Sequence, residues 1–412
     1  MLAVLYIFKK RAFWLTSFLC CYGLLACAQY FDVDSGRKNV KIPFRLVRNM
    51  VVVKMNINNR GPFNFVLDTG VGLMIMTDPG MIDSIDVAQK RNIKITGLGD
   101  GGDYEAYVTS SINVKMPGLH SKDVSAAILK ADYFNLSSYA GMPVHGLIGW
   151  DFFNNLAVKV DFSDSTLTVC RPQNLKGIKR SQRIPITIED KKPYMQTVVT
   201  FVNGNQKTSK VVIDLGAGHP LSLENLTNTP ELPKNHIRAN LGLALNGPIN
   251  GFVSRVLQVT LGKYHLDNVI TAFPDQNDKT RVYTIKRDGN LGLGILKKFL
   301  VVFDYTNNAM YLKPNSHYKD PFEHDMAGIE YYWAGKDFKH LLVSRVEPDS
   351  PGSETGLEQG DEIMSVNFKP VTQMSIEEID NLFKSKNERS LLLEVFHDQR
   401  YDRVVLTLKR RI

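Results

Sequence analysis

Residues 64–70 read Asn-Phe-Val-Leu-Asp-Thr-Gly, and residues 210–216 read Lys-Val-Val-Ile-Asp-Leu-Gly. In each stretch, an apolar run typical of a buried strand ends in Asp-x-Gly. The two aspartates, Asp68 and Asp214, lie 146 residues apart. Because both strands end in the same pattern, the sequence predicts two related halves that each carry one aspartate at the end of a strand.

A second motif also occurs twice, in the same order. The first copy is Leu147-Ile148-Gly149 and the second contains Leu291-Gly292, so that their glycines lie 143 residues apart. A β-rich run precedes each aspartate strand as well, at residues 50–57 and 195–202. Matched landmarks in one order and at nearly one offset indicate an internal duplication.

Glycine-rich stretches lie between the two motifs of each half. Residues 97–102 include Gly99, Gly101 and Gly102 and are followed by a β-rich run from Tyr104, whereas the second half has its stretch at residues 241–251. Glycine tolerates the positive φ that tight hairpin tips require, so both stretches are predicted to be hairpins. Long helical periodicity is scarce before residue 370, and the first 315 residues are therefore expected to be mainly β.

A duplicated Asp-x-Gly has a chemical meaning that a single copy lacks. One such motif is ordinarily a turn at the end of a strand. Two carboxyls brought to one site repel each other when both are ionised, so the pair retains one proton. One aspartate can then act as a general base on water while the other donates a proton to a substrate carbonyl. The duplication favours this interpretation for Asp68 and Asp214.

The segment from Phe65 to Gly70 resembles the hydrophobic-hydrophobic-Asp-Thr-Gly motif of the retropepsin and pepsin clan of aspartic proteases, and 147–149 resembles the second motif of that clan. The resemblance spans residues 38–314. It implies two acid-protease-like β-barrel lobes related by a pseudo-twofold axis. It also implies hydrolysis of peptide bonds by water held between the two aspartates, without a metal or an organic cofactor.

The same resemblance assigns the residues around the aspartates. It implies that the active-site loops contain Thr69 and Gly70 in lobe 1, and Leu215 and Gly216 in lobe 2. The flap candidates it implies are Gly99, Gly101, Gly102 and Tyr104.

Lobe 2 departs from the clan at Leu215, where the clan has a Thr or Ser whose hydroxyl bonds across to the opposite loop. Three interpretations follow. The chain is a working protease that lacks one cross-bond, a weak or narrowly specific protease, or a bilobal peptide-binding or scaffolding protein of the cell envelope that no longer cleaves.

The C-terminal part matches neither half. A strand-like run at 339–346 precedes Ser-Pro-Gly, Gly-Leu and Gly-Asp-Glu-Ile in an order that resembles a PDZ domain of the type found in bacterial proteases. The resemblance implies binding of a C-terminal peptide as an added strand, with Phe338 and Leu341 as groove candidates. The alternative is a PDZ fold that only packs against the lobes.

The N-terminus is typical of an exported protein. Three basic residues precede an apolar run that ends near residue 28, which is the pattern of a signal peptide. Cleavage after Ala28 and a lipobox ending at Cys27, the lipidation candidate, both fit. The expected location is the periplasm or outer membrane of a Gram-negative bacterium, or the medium. Without this segment the net charge of +8 falls to +5, and nothing favours nucleic-acid binding.

These observations divide the chain into a signal segment (1–28), lobe 1 (29–175), lobe 2 (176–320) and a PDZ-like domain (325–412). Cys170 is the cysteine left in the mature chain, so no intramolecular disulfide is expected. The histidines show no metal-ligand spacing; His145 and His219, near the cleft loops, are interpreted as polar neighbours. We expect a monomer whose partners are protein or peptide substrates and a peptide ligand of the PDZ domain.

Overall fold

The structure is a computed structural model that describes residues 30–87, 89–95, 104–224, 232–244, 247–275 and 285–412. The predicted signal segment, Cys27, and the flap candidates Gly99, Gly101 and Gly102 lie outside the described residues. No helix in the described ranges is both long enough and apolar enough to cross a membrane.

The first half of the chain is built almost entirely of strands. In chain order these are β1 (Asp32–Val33), β2 (Asn39–Pro43), β3 (Arg45–Val47), β4 (Met50–Ile57), β5 (Arg60–Leu67), β6 (Met74–Met76), β7 (Arg91–Ile95), β8 (Tyr104–Met116), β9 (Leu119–Leu129), β10 (Gly146–Ile148), β11 (Ala157–Asp161) and β12 (Thr166–Cys170). All except β2, β11 and β12 belong to the sheet of lobe 1.

The second half repeats this arrangement. Its strands are β13 (Gln182–Pro185), β14 (Thr187–Glu189), β15 (Lys192–Thr200), β16 (Gln206–Asp214), β17 (Leu221–Leu223), β18 (His236–Ala244), β19 (Gly247–Leu261), β20 (Tyr264–Pro274), β21 (Gly289–Gly292), β22 (Phe299–Asp304) and β23 (Ala309–Pro314). Strands β14 to β21 form the sheet of lobe 2.

The C-terminal domain has its own sheet, in the order β24-β25-β26-β28-β29, with β27 paired to β26. Its strands are β24 (Ile329–Ala334), β25 (His340–Val346), β26 (Glu362–Val366), β27 (Lys369–Pro370), β28 (Ser390–His397) and β29 (Arg400–Thr407). The helices of the described residues are short: α1 (Met81–Ser84), α2 (Leu136–Ala140), α3 (Trp150–Phe153), α4 (Leu293–Leu296), α5 (Pro351–Glu354) and α6 (Ile376–Phe383).

Local sequence explains the elements that matter for the site. In β4, the four buried residues at its start are followed by an alternation of exposed and buried residues to Ile57, which matches a strand whose second part has one face on the core. The turn that follows has positive φ at Asn58 and Asn59, which asparagine tolerates better than most residues. Helix α6 begins at the capping residue Ser375, whose hydroxyl accepts the Glu378 backbone N–H while the Glu378 carboxylate accepts the Ser375 N–H.

The two halves make the same unusual strand junction. β10 runs parallel to β5 with Ile148 opposite Leu67, and β21 runs parallel to β16 with Gly292 opposite Asp214. Most other pairings in both sheets are antiparallel. The repeated junction places the end of each aspartate strand beside the apolar-Gly motif of its own half. The predicted fold class, two acid-protease-like β lobes with pseudo-twofold symmetry and an α+β PDZ domain, is confirmed.

A further sheet joins the halves. Its order is β13-β23-β22-β11-β12-β2, and β11 and β22 pair across the pseudo-twofold axis. Aromatic side chains pack there: the rings of Phe153 and Phe303 meet edge to face at 5.3 Å, and Tyr305 stacks on Phe153 at 5.7 Å. This buried layer gives the two lobes a common base beneath the aspartates.

Candidate active site

The two aspartates lie at one place, on equivalent loops. Each carboxylate accepts a hydrogen bond from the glycine two residues later: Asp68 from Gly70 at 2.7 Å and Asp214 from Gly216 at 2.8 Å. These bonds fix both carboxylates by backbone groups, so their positions depend little on flexible side chains. The two carboxyls are close together, because a Cβ on Gly70 would lie 2.8 Å from Oδ2 of Asp214 and 3.0 Å from Oδ1 of Asp68. The structure therefore brings together the two residues that the sequence singled out.

The glycines of the loops are required by space. A Cβ on Gly216 would lie 2.3 Å from Cγ of Asp68, and a Cβ on Gly70 would lie 2.8 Å from Oδ2 of Asp214. Beneath each loop, the glycine of the second motif is equally constrained. A Cβ on Gly149 would lie 2.1 Å from the carbonyl oxygen of Asp68. Glycine at these positions lets the two loops approach each other and lets each second motif pack under its own loop.

Thr69 makes the bonds that cross between the loops. Its hydroxyl donates to the carbonyl oxygen of Ile213 at 2.7 Å and accepts the backbone N–H of Leu215 at 2.9 Å. Thr69 is 1% exposed, so both bonds are shielded from water. The cross-bond is thus present in one direction. The Leu215 side chain is fully buried in the apolar core, and only its backbone takes part.

The environment of the dyad raises the pKa of Asp68 well above its ordinary value. Burial is the largest cause, and the charge of Asp214 and the hydrogen bond to it act in the same direction. Asp68 therefore retains a proton that an exposed aspartate would lose.

Asn290 is a member of the site that sequence reasoning missed. Its Nδ2 donates to Oδ2 of Asp214 at 2.7 Å, and its Oδ1 is buried without a hydrogen-bond partner among the described residues. Asn290 lies one residue before Leu291, at the position where the motif of lobe 1 has Leu147. The sequence signal that could have identified it is this polar residue at a position where the motif of the other half is apolar.

Each loop is also supported by a hairpin tip from the opposite lobe. Asn49, between β3 and β4, donates from Nδ2 to the carbonyl oxygen of Gly218 at 3.1 Å. Reciprocally, a Cβ on Gly72 would touch the Cβ of Lys191, between β14 and β15, at 3.3 Å. Arg48, Asn49, Asp190 and Lys191 all have positive φ, as a tight turn requires.

Several buried polar groups near the dyad lack a partner among the described residues. They are Oδ2 of Asp151, Nε2 of His219, the hydroxyl of Tyr305 and Oδ1 of Asn290. Burial raises the pKa of Asp151 from its ordinary value of 3.8 to about 6 and lowers that of His219. Buried polar groups without a partner are rare in folded proteins, so each of these four requires a structural or chemical explanation.

The remaining predicted residues lie as follows. Tyr104, the described flap candidate, begins β8 and stacks on Tyr133 at 4.2 Å. His145 accepts the backbone N–H of Asn64 at 3.1 Å, and burial lowers its pKa. Within the described residues, no group of three acidic, His or Cys side chains is arranged to hold a metal ion.

The groove predicted for the PDZ domain needs correction. Leu341 is fully buried, and its strand β25 pairs with β24 on one side and β26 on the other, so that no peptide strand can be added there. Phe338 lies in the turn between β24 and β25, at φ 54°. The sheet has edge strands β24 and β29, and helix α6 lies beside β24, with the rings of Tyr331 and Phe383 5.4 Å apart. The prediction was wrong because it treated the strand at 339–346 as the first strand of the domain, whereas β24 precedes it.

Comparisons with known proteins give the class. Residues 53–152 match the sequence model of the family described as aspartyl protease, and residues 342–395 match that of the PDZ domain. One segment of the chain is thus similar to aspartyl proteases and another to PDZ domains, at the places where the sequence motifs indicated those resemblances.

No curated protein matches the chain. Among solved structures, it is similar to the aspartic proteinase from Irpex lacteus, at 13% identity over 68% of this chain and 99% of that chain, with a TM-score of 0.46. It also matches a photosystem II D1 C-terminal processing protease, at 19% identity over 21% of this chain and 23% of that chain, with a TM-score of 0.20.

Proposed function

We propose that this protein is an exported aspartic-type endopeptidase that hydrolyses peptide bonds in protein substrates. The observation that carries the proposal is the pair Asp68 and Asp214, whose carboxyls lie on matched loops on either side of Gly70 and are held there by the backbone N–H groups of Gly70 and Gly216. Two carboxyls sharing one proton are suited to activating water and polarising a carbonyl in the same step.

The roles of the aspartates follow from their surroundings. Asp68 holds the proton and donates it to the oxygen of the substrate carbonyl. Asp214 accepts a proton from the water whose oxygen attacks the carbonyl carbon, which gives a tetrahedral diol. As the C–N bond breaks, Asp214 gives this proton to the nitrogen, which leaves as a free amine, and Asp68 takes back a proton from a diol hydroxyl as the carboxyl product forms. Asn290 donates to Oδ2 of Asp214, which fixes the orientation of this carboxyl toward the attacking water during the first step.

The direction of the pKa shift predicts the pH dependence. Because the pKa of Asp68 is raised, Asp68 stays protonated to a higher pH than an exposed aspartate. Activity should therefore persist above the pH at which ordinary aspartates ionise, and should be lost as the pH rises through the pKa of Asp68. The pH profile belongs to the pair rather than to one residue.

The test uses the purified mature protein and an unfolded protein substrate, from acidic to neutral pH. Asp68→Asn and Asp214→Asn should each reduce the cleavage rate by at least about a hundredfold. Asp164→Asn, an exposed aspartate in the turn after β11, is the matched control and should cleave normally. Cleavage by both dyad variants at the wild-type rate would refute the proposal.

The alternative is a bilobal peptide-binding or scaffolding protein of the cell envelope. Leu215 favours it, because its side chain supplies no hydroxyl to the opposite loop. A folded wild-type protein that binds unfolded substrates and leaves them intact at every pH would support this alternative over the peptidase.

Export rests on the sequence of residues 1–28, which the structure does not describe. The mass of the mature N-terminus distinguishes the two processing routes. A chain beginning at Gln29 would indicate ordinary cleavage, whereas a diacylated Cys27 at the first position would indicate a lipoprotein. An uncleaved N-terminus in the cytoplasmic fraction would contradict export.

A further inference from the structure

The edge of β24 beside helix α6 is occupied by lobe 1 of the same chain. PDZ domains bind a peptide by adding it as a strand between such an edge and a helix. Here Arg48, at the tip of the β3–β4 hairpin, enters this groove, which borders a cavity of about 630 Å³ between the lobes and the PDZ domain. The groove therefore has an internal occupant.

Arg48 contacts both walls of the groove. Its Nη1 donates to the carbonyl oxygen of Tyr331, on β24, at 2.9 Å. Its Nη2 and Nε form a forked pair with Asp380, on α6, at 2.9 and 3.2 Å. The Arg48 side chain is 7% exposed. A buried guanidinium with this geometry is a specific and directional contact.

Aromatic rings complete the arginine site. The Arg48 guanidinium lies 4.7 Å from the ring centre of Tyr139 and 4.6 Å from that of Tyr331. The Tyr331 hydroxyl also donates to Asp380. A carboxylate flanked by two tyrosine rings selects a cationic side chain, because both the ion pair and the ring faces favour positive charge. The chemistry of the groove is therefore that of an arginine or lysine receptor.

Lobe 1 makes a second contact with β24, beside its far end. Helix α2 packs along this strand, and a Cβ on Gly141, the residue after it, would lie 2.4 Å from Cδ1 of Trp333. At the start of β24, the carboxylate of Asp325 accepts the backbone N–H groups of Ala327 and Gly328. Backbone groups of this kind capture the terminal carboxylate of a peptide in other recognition modes. A side chain of the protein itself holds them here.

The hairpin that fills the groove also touches the catalytic loop. Asn49, the residue after Arg48, donates to the carbonyl oxygen of Gly218, in the loop that follows Asp214. Oδ1 of Asn49 accepts from Nζ of Lys297 at 2.9 Å. Arg48 and Asn49 are neighbours on one tight turn, so withdrawal of Arg48 from the PDZ domain would displace Asn49 as well.

We propose that the β3–β4 hairpin is an internal ligand of the PDZ domain, and that the external ligand is an extended peptide carrying an arginine or lysine side chain that displaces Arg48. Binding of this peptide would release the support that Asn49 gives to Gly218. The PDZ groove and the loop of Asp214 are thus coupled through one turn, and the coupling is reciprocal.

The binding test needs no peptidase activity, so its failure is distinguishable from a failure of the proposed function. The probe is a fluorescent, otherwise uncharged peptide with one arginine, compared with the same peptide carrying citrulline. The full mature chain with Arg48→Ala should bind the arginine peptide at least about tenfold more tightly than wild type, because the competing occupant is gone. Arg45→Ala, an exposed arginine on the same hairpin, should bind like wild type.

Equal affinity of wild type and Arg48→Ala for the arginine peptide would overturn the proposal. It would also be overturned if Arg48→Ala bound the citrulline peptide as tightly as the arginine peptide. Asp380→Asn provides a second variant: it should bind neither peptide tightly and should expose the hairpin. Near-ultraviolet circular dichroism establishes that each variant is folded.

Hydrogen exchange tests the coupling. The arginine peptide at saturation should increase amide exchange at residues 47–50 and at 215–219 in wild type. In Asn49→Ala, exchange at 215–219 should be raised already and should not respond to the peptide. Exchange at 215–219 that ignores the peptide in wild type would refute the coupling.

Discussion

Asn290 donates a hydrogen bond over 2.7 Å to Oδ2 of Asp214. No side-chain amide of the described residues donates to Asp68, and lobe 1 has Leu147 at the position that matches Asn290. The two halves of the dyad are therefore not interchangeable, and their loops differ as well, because the Thr69 hydroxyl bonds across to lobe 2 whereas Leu215 supplies no hydroxyl. The difference that Asn290 makes can be removed by one substitution.

Asn290→Leu, which copies the residue of lobe 1, should lower kcat about tenfold with little change in KM, because a hydrogen bond to a reacting group is lost. The pH range of activity should narrow from its acidic side, since the pair loses a donor to its ionised form. The temperature of unfolding should not fall, because leucine also removes the unpartnered Oδ1. A drop in stability with an unchanged pH profile would indicate a merely structural residue.

Gly216→Ala should abolish activity, because its Cβ would lie 2.3 Å from Cγ of Asp68. A displacement of this kind at a reacting group costs about a hundredfold or more in rate. Gly218→Ala, two residues later, is the matched control. Its Cβ would meet the Cβ of Asn49 at 3.4 Å, an ordinary contact. The measurement is the steady-state cleavage rate of each variant. Equal rates would show that the loop can move to accommodate a Cβ at residue 216, and would contradict the prediction.

Thr69→Val should destabilise the protein by about 1–3 kcal/mol, because two buried hydrogen bonds between the lobes lose their hydroxyl. Activity should fall as well, since Ile213 and Leu215 flank Asp214. Denaturant unfolding measures the first effect and peptide cleavage the second. Unchanged stability would mean that water replaces the hydroxyl at no cost.

Leu215→Thr makes the reciprocal test by offering a hydroxyl from lobe 2. Activity should rise because the second cross-bond becomes available. Stability should fall, because a fully buried leucine is replaced by a smaller polar residue. An unchanged or lower rate would mean that this lobe does not use the cross-bond.

Asp151→Asn should change the dependence of stability on pH. The pKa of Asp151 is raised by burial from 3.8 to about 6 in the folded protein. The unfolded chain therefore loses this proton first, and stability falls as the pH rises from 3.8 through about 6. The asparagine variant avoids that loss, so its advantage over wild type should appear within this window and persist above it. Asp164→Asn should show no such pH-dependent advantage over wild type. A stability difference between Asp151→Asn and wild type that is the same at every pH would contradict the raised pKa of Asp151.

Sequence patterns could predict the duplicated framework because backbone requirements repeat: each half needs an apolar strand, an Asp-x-Gly turn and a second glycine under it. Asn290 was missed because its role depends on which face of β21 meets Asp214, and strand period alone does not reveal that face. The true PDZ edge was missed for a related reason. Pairing on both sides of Leu341 is a property of the assembled sheet, not of its strand.

The sheet shared by the two halves has a consequence for how the molecule can be divided. In the centre of this sheet, β11 of the first half is hydrogen-bonded directly to β22 of the second half. A first lobe expressed alone would present β11 as a bare, apolar edge, and such an edge seeks another strand. The nearest substitute is β11 of an identical molecule, so the isolated lobe should be recovered as a dimer or an aggregate. Because both lobes belong to one chain, each β11 has one β22 available as its pairing partner. The covalent link between the halves thus favours pairing of a first lobe with a second lobe over pairing of two first lobes.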